Sequence, residues 1–227
     1  MDLNDGGNMG AENSVSVHCP ICKHKHQVPA VRVVDVSRDG ELRKRYESGD
    51  LFQFDCPDCG YRMKLGYSYV YQDPGIREFI YLSREQPAEN GYMMDQVVKN
   101  ATAMAGGKKE DSILRIVFSE SDLQEKIKIF ENGLDDRIVE LCKGIALSQF
   151  PATEEFFVTG IHYDVVGGKE LLKLTCSDGT EEYALNFPEM YGQMFEEYSH
   201  MLPPLRGNIF SCIDLEYAAS FLRETIT

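Results

Sequence analysis

Two short cysteine pairs constrain this chain more than any other feature of its sequence. Cys19 and Cys22 lie in "HCPICKHKH", and Cys56 and Cys59 lie in "DCPDCG". The chain has seven cysteines in 227 residues, and the other three are isolated. A secreted disulfide framework is usually shorter, denser in cysteine and even in number. The two pairs therefore call for an explanation other than disulfide cross-links.

The form of the pairs, Cys-Pro-x-Cys, predicts a tetrahedral zinc site. Each such turn presents two thiolates on one side of a tight loop, and two turns supply the four ligands of a structural zinc ion. A glycine after the second cysteine tolerates a left-handed backbone, and Gly60 provides it in the second pair, whereas Lys23 stands there in the first. Four protein ligands leave no position open for water, so we predict structural zinc and no catalytic metal. The predicted ligands are Cys19, Cys22, Cys56 and Cys59.

The connection between the pairs is longer than in common zinc ribbons. It has 33 residues, 23 to 55, against the roughly 15 to 20 that are usual. Loop-closure entropy rises only logarithmically with length, so the extra residues cost little. "HQVPAVRVVDVS" is rich in β-branched residues, and "ELRKRYESGD" is helix-prone and ends near Gly49. The connection is therefore predicted to be an inserted strand and a short helix.

Three histidines, His18, His24 and His26, surround the first cysteine pair. Neutral imidazole binds zinc well, so any of them could replace a cysteine as a ligand. Four cysteines already complete a tetrahedron, and we therefore favour a solvated basic edge that the histidines share with Lys23 and Lys25.

Thiol–disulfide redox catalysis is the alternative role for the cysteines. A thioredoxin-type pair begins a helix, whose dipole lowers the pKa of the first thiol. Here "KHKHQVPAVRVV" follows the first pair and "GYRMKLGYSYV" follows the second, and both favour strands. Zinc binding is therefore the preferred interpretation.

The remaining pattern mixes strands and helices. "YRMKLGYSYVYQD" and "REFIYLS" predict a hairpin that turns at Asp73, and residues 86–112 predict a long loop with one short helix. "SESDLQEKIKIFEN" and "LDDRIVELCKGIALSQF" predict a helical hairpin, with Ser119 or Ser121 as the first N-cap and Asp135 and Asp136 in the first turn of the second helix. Three strands and two helices are predicted after Pro151, with Cys142 and Cys176 in the core.

Several of these segments together resemble a known family. "CPIC", "SGDLFQFDCPDCGY", "YVYQDP" and "EKIKIFENGLDDRIVELCK" are similar to the CpXC domain of bacteria and archaea, over about residues 15–145. The resemblance implies that the four paired cysteines are the defining positions. It also implies that the β region and the helical hairpin belong to one domain, with 86–112 as an excursion inside it. It implies no biochemical activity.

The predicted architecture is α+β. A disordered lead-in over 1–14 precedes a zinc-ribbon-like antiparallel β domain with a helical hairpin over 15–145. An acidic unit of antiparallel sheet and helices follows over 146–227.

Charge and composition limit the partners. Residues 151–227 hold 13 acidic and 4 basic side chains, which disfavours binding to phosphate backbones there. The N-terminus has no secretory signal, and no apolar run reaches the roughly 18 to 20 residues that cross a bilayer. We therefore predict a cytoplasmic protein that does not bind membranes.

The predicted role is a non-enzymatic binding or adaptor module with an unidentified protein partner. A nucleic-acid-binding ribbon is a further alternative, which would use Lys23, Lys25, Arg43, Lys44 and Arg45. Four aromatic side chains could form a contact surface, but we favour their packing between the sheet and the helical hairpin; they are Tyr67, Tyr69, Tyr71 and Phe79. His162 and Asp164 share one face of a strand, which we interpret as an exposed polar face rather than half of an acid–base site.

Overall fold

The computed structural model describes residues 14–37, 40–85, 92–107, 109–150, 153, 155–184 and 186–225. Helices and small, mostly antiparallel sheets make up these residues, which confirms the predicted α+β class. Except for Ser14, the predicted disordered lead-in lies outside the described residues. The chain forms two compact units, Met1–Lys108 and Lys109–Thr227.

This division falls inside the predicted 15–145 domain. The predicted helical hairpin therefore belongs to the second compact unit, whereas both cysteine pairs belong to the first. The domain boundary near residue 145 stays a prediction. Among the residues that the structure describes, no helix combines the length and the apolar composition needed to cross a bilayer.

The first unit contains seven strands and two α-helices in its described part. They are β1 (Ser14–His18), β2 (Lys25–Pro29), β3 (Val33–Asp35), α1 (Gly40–Glu47), β4 (Gln53–Asp55), β5 (Arg62–Lys64), β6 (Tyr69–Asp73), β7 (Glu78–Leu82) and α2 (Tyr92–Met104). Helix α1 ends before Gly49, which has a φ of 77°, as the sequence predicts. The predicted inserted strand over "HQVPAVRVVDVS" is in fact two strands, because β2 ends at Pro29 and β3 begins at Val33, and α1 is the predicted short helix.

The antiparallel hairpins β1–β2 and β4–β5 each form a separate two-stranded sheet. The predicted strand over "YRMKLGYSYVYQD" is in fact two strands, because β5 ends at Lys64 and β6 begins at Tyr69, on either side of Gly66. Strand β6 pairs in parallel with β3 and antiparallel with β7. The β6–β7 turn is held by Asp73, whose side chain accepts a hydrogen bond from the Gly75 N–H at 2.9 Å.

An aromatic core lies beside β6. Tyr69 is fully buried and stacks on Phe52, with ring centroids 4.6 Å apart, and Tyr71 packs against Tyr46 of α1 at 5.4 Å. Tyr67 also packs on Phe52. The predicted burial of these tyrosines is therefore confirmed, as is that of Phe79. The aromatic neighbours of the tyrosines lie on α1 and at Phe52, however, whereas the prediction placed the tyrosines against the helical hairpin.

The second unit contains four strands and four α-helices in its described part. They are β8 (Ile113–Val117), α3 (Glu120–Glu131), α4 (Asp136–Gln149), β9 (Val158–Val166), β10 (Lys169–Cys176), β11 (Glu181–Ala184), α5 (Phe187–Tyr198) and α6 (Leu215–Thr225). Strands β9, β10 and β11 form an antiparallel sheet in the order β11–β10–β9. This arrangement confirms the three strands predicted after Pro151.

Local sequence explains where the paired helices begin. The Ser119 side chain accepts a hydrogen bond from the Asp122 N–H at 3.1 Å and caps α3. Asp135 caps α4 by accepting from the Arg137 N–H at 3.0 Å. Caps of this kind satisfy backbone donors that have no partner within the helix.

Candidate metal centre

Each cysteine pair lies in the loop at the tip of a two-stranded hairpin. The first loop joins β1 to β2, and the second joins β4 to β5. Both loops close with the same hydrogen bond. The Lys23 N–H donates to the Cys19 carbonyl at 3.0 Å, and the Gly60 N–H donates to the Cys56 carbonyl at 2.8 Å. The two pairs are therefore presented by equivalent turns, and each is followed by a strand rather than a helix.

The residue after each second cysteine has a left-handed backbone. Gly60 has a φ of 72°, and Lys23 has a φ of 64°. Lys23 thus adopts the left-handed backbone that glycine adopts in the second loop. Its ammonium group donates to the Pro20 carbonyl at 2.7 Å, which ties the side chain to its own loop.

Gly60→Ala is expected to destabilise the protein by about 1 to 2 kcal/mol, because a side chain disfavours the left-handed region by that amount. A Cβ at Gly60 would meet no atom within 4 Å, so a steric clash does not contribute. Gly144→Ala is the matched control, since Gly144 lies within α4 with an open Cβ position and a helical alanine should stabilise by about 1 kcal/mol. Thermal melting of the metal-loaded protein measures both shifts, and a Gly60→Ala variant as stable as the parent would contradict the expectation.

The four paired cysteine sulfurs form one cluster. The Sγ atoms of Cys19 and Cys59 are 3.5 Å apart, those of Cys22 and Cys56 are 3.6 Å apart, and all four lie within 4.8 Å of one another. These separations are too long for a disulfide, which has a bond of about 2.05 Å. A tetrahedron with metal–sulfur bonds of about 2.3 Å has edges of about 3.8 Å. The cluster therefore has the dimensions of a four-thiolate metal site.

The thiols differ in acidity because they share hydrogen bonds. Burial opposes ionisation of Cys19, but the backbone N–H groups of Cys22 and Ile21 and two neighbouring thiols lower the pKa of Cys19 to about 6. The His24 N–H favours a thiolate at Cys22, yet burial and the neighbouring thiols raise the pKa of Cys22 to about 12. Four adjacent thiolates therefore need a cation to exist together.

Two of the three histidines that were considered as possible ligands lie beside the cluster. His26 Nε2 is 3.5 Å from Cys56 Sγ and 3.4 Å from Asp58 Oδ2, and His24 Nδ1 is 2.7 Å from the same carboxylate oxygen. Asp58 belongs to the second loop and the histidines to the first, so these contacts link the two loops. His26 also belongs to a second set of potential ligand atoms within 4.8 Å, with Cys22, Cys56 and Asp58. Neither His18 nor His24 belongs to such a set within the described part of the chain.

His24→Gln is expected to lower stability by no more than about 1 kcal/mol and to leave metal content unchanged. The His24 and Asp58 side chains are 66% and 42% exposed, and exposed ion pairs contribute little. Metal analysis and thermal melting check both statements, with His18→Gln as the control. Loss of metal from His24→Gln would show that His24 acts as a ligand.

The second unit contains a buried charge network that the sequence did not reveal. Arg115 donates twice to Asp136, at 2.7 and 2.8 Å, and Lys126 lies 3.2 Å from Asp136. Lys126 also donates to Glu140 at 3.0 Å. Lys143 lies 3.0 Å from Glu140 and 2.7 Å from Glu125. The buried charge network is therefore Arg115, Glu125, Lys126, Asp136, Glu140 and Lys143, and each side chain is at most 5% exposed.

The network sets the ionisation of its members. Burial favours the neutral form of Asp136, but Arg115 and Lys126 overcome it and hold the pKa of Asp136 well below its usual range. Burial likewise opposes ionisation of Glu125, but Lys143, His162 and Lys126 lower its pKa to about 2. The acidic members therefore stay charged at neutral pH.

Acid is expected to destabilise the protein through these carboxylates. A carboxyl group whose pKa is lower in the folded than in the unfolded state stabilises the folded state at pH values above the unfolded pKa, which is about 4 for Glu. This stabilisation is lost as the pH falls towards the folded-state pKa. For Glu125 the loss runs from about pH 4.5 to about 2. Urea midpoints over this range should fall less steeply in Glu125→Gln than in the parent protein. Equal slopes would contradict the assignment of a depressed pKa to Glu125.

His162 and Asp164 have different partners. His162 is half-exposed, and its Nδ1 lies 3.4 Å from Glu125 Oε2. Asp164 accepts a hydrogen bond from Lys128 at 2.6 Å. The structure therefore does not pair these two residues with each other.

The three isolated cysteines lie outside the cluster. Cys142 and Cys176 are buried, as predicted. Cys212 is partly exposed, and its thiol is 3.3 Å from Asp214 Oδ2.

Comparison with known families agrees with the resemblance seen in the sequence. A family model described as CpXC protein matches residues 17–143, which is more than half of the chain and includes both cysteine pairs. The chain therefore belongs to the CpXC family. The matched region extends across the division between the two compact units at Lys108. No curated protein and no solved structure gives a significant match.

Proposed function

We propose that this protein is a binding module whose first unit depends on one structural zinc ion. The ligands would be Cys19, Cys22, Cys56 and Cys59. The observation that carries the proposal is the approach of all four sulfurs to within 4.8 Å of one another, from two loops that are distant in the sequence.

The donor set favours zinc. Soft thiolate ligands select zinc, copper(I) and iron–sulfur clusters, and a tetrahedral four-sulfur site is typical of zinc or iron. Zinc has no redox chemistry and no geometric preference from d-electrons, so a closed four-thiolate site serves structure. His26 and the loop N–H groups would then act as hydrogen-bond donors to the bound thiolates.

The hairpins need such a cross-link. A two-stranded hairpin is at best marginally stable in water, and β4 and β5 have only three residues each. Each hairpin tip presents two sulfurs, so one metal ion would fix both hairpins at once. The metal would therefore supply folding free energy to this part of the chain.

A polypeptide partner is the ligand that we propose for the module. Ile21 in the first loop is 62% exposed, and Tyr61 beside the second loop is 40% exposed. Apolar side chains held on rigid loops are suited to contact another protein. We further propose a cytoplasmic location, in which the cysteines stay reduced.

Cobalt substitution tests the metal site. Protein refolded with Co²⁺ should show the visible d–d absorption of tetrahedral thiolate coordination, and equimolar Zn²⁺ should remove it. A weak, octahedral-type spectrum would contradict the four-thiolate site. Rapid reduction of a small disulfide by zinc-loaded protein would instead favour redox catalysis, and salt-sensitive retention of the full chain on nucleic acid would favour a nucleic-acid-binding ribbon.

A further inference from the structure

A cavity of about 480 Å³ lies within the second unit. Its volume falls in the range of about 300 to 1,000 Å³ that is usual for small-molecule sites. Buried apolar side chains line part of it, among them Ile116, Ile161 and Ile213. The cavity can therefore accept the apolar body of a small ligand.

Four members of the buried charge network also line this cavity: Glu125, Lys126, Glu140 and Lys143. The complete network holds three acidic and three basic side chains, so its formal charge is zero. Buried ion pairs contribute little net stability to the fold, because the loss of hydration offsets their attraction. They do hold polar groups in fixed positions, which is what a binding site requires.

The unbalanced charge at the cavity is negative. Asp122, Asp214 and Glu216 line it as well, and none of the three forms an ion pair within the described part of the chain. Asp122 is half-buried, and the other two are exposed. Among the described residues that line the cavity, His162, whose ring faces Glu125, is the one further group that can carry a positive charge. The cavity therefore attracts cations and repels anions.

We propose that the second unit binds a small organic cation, an amine with an apolar body, in this cavity. The apolar body contacts the isoleucine side chains, and the ammonium group lies near Asp122, Asp214 and Glu216. Binding of this cation depends on residues of the second unit and does not require the metal centre.

A divalent cation is the competing occupant. Asp122, Glu125 and His162 place three potential ligand atoms within 4.8 Å of one another. However, the Lys143 ammonium lies 2.7 Å from Glu125, and the Glu125 carboxylate also accepts from the Tyr163 N–H. A metal ion would have to bind beside this ammonium group, so an organic cation is favoured.

Two probes of the same shape and opposite charge test the proposal. Zinc-loaded full-length protein with labelled methyl groups is titrated with 4-phenylbutylammonium and, separately, with 4-phenylbutyrate. The ammonium probe should shift the methyl signals of Ile161 and Ile213 saturably and bind at least about tenfold more tightly than the carboxylate. Equal affinities, or no saturable shift, would overturn the proposal. Broadening of these signals by Mn²⁺ without binding of the ammonium probe would overturn it in favour of a metal.

Two variants connect binding to the cavity. Gly160 lines the cavity, and a Cβ there would lie 3.8 Å from His162 Nε2, so Gly160→Leu should fill the space and abolish binding. The double variant Asp122→Asn/Glu216→Gln should weaken ammonium binding about tenfold, since it removes two charges. Glu196→Gln, at an exposed position of α5 outside the cavity, is the control and should bind as the parent does. The NMR spectrum of each variant should show that it remains folded. Undiminished binding by a folded Gly160→Leu variant would contradict the proposed site.

Discussion

Cys56→Ser is expected to remove the proposed zinc ion and to unfold the two cysteine-bearing hairpins. Cys56 is 2% exposed, and its sulfur is central to the cluster, at 3.6 Å from Cys22 Sγ. Structural zinc in small domains contributes an apparent 10 to 16 kcal/mol, about as much as the stability of a whole domain. Zinc content should fall from about one ion per chain to near zero, and amides of β1, β2, β4 and β5 should lose protection from hydrogen exchange.

Cys212→Ser is the matched control, because it makes the same chemical change at a partly exposed cysteine outside the cluster. Its zinc content and the hydrogen exchange of the hairpins should equal those of the parent. Full zinc retention by Cys56→Ser would contradict the four-cysteine site, and also the set that contains His26, because Cys56 belongs to both.

Asp136→Asn is expected to destabilise the second unit by about 3 to 5 kcal/mol, the range for loss of one partner from a buried ion pair. Asp136 is fully buried and accepts two hydrogen bonds from Arg115, with Lys126 3.2 Å away. Asparagine preserves the size of the side chain but leaves the two buried cations with less negative charge. Urea denaturation, followed by a probe in α3 or α4, measures the change.

Asp164→Asn provides the comparison. Asp164 and Lys128 also form a close ion pair, at 2.6 Å, but their side chains are 27% and 43% exposed. The same substitution should therefore cost no more than about 1 kcal/mol. Similar effects at Asp136 and Asp164 would show that burial does not decide the contribution of these pairs.

The cluster of four cysteines was largely predictable because the determinants of its two loops are local. Each Cys-Pro-x-Cys turn fixes its own geometry through the residues that follow it, and Gly60 has the left-handed backbone that the sequence predicts. Helix starts at Ser119 and Asp135 and the turn at Asp73 are local for the same reason. The contacts of His24 and His26 with Asp58 join distant parts of the chain, and no local pattern indicates them.

The buried charge network was missed because its members resemble surface charges when helices are considered one at a time. Two signals were present. Arg115 stands inside "ILRIV", an otherwise apolar strand, where a charge is buried and needs a partner. Asp136, Glu140 and Lys143 recur at helical spacing and so share one face of α4. Which charges pair across α3, α4 and β8 depends on tertiary packing, which periodicity does not specify.

The division into compact units also depended on tertiary structure. The predicted boundary followed the extent of the family resemblance and the acidic composition after residue 150, whereas the compact units divide at Lys108. A long connection with one helix, α2, precedes that division. The sequence pattern predicts a long loop over residues 86–112, which contains this division, but the family resemblance favoured an excursion within one domain.

Elemental mass spectrometry on protein prepared without added zinc, with free thiols counted before and after chelation, is the most direct test of the proposed structural zinc site. We expect about one zinc ion per chain and four additional reactive thiols once a chelator removes it. Metal-free protein that is folded, with all of its thiols reactive from the start or with its paired cysteines joined in disulfides, would contradict a structural zinc site.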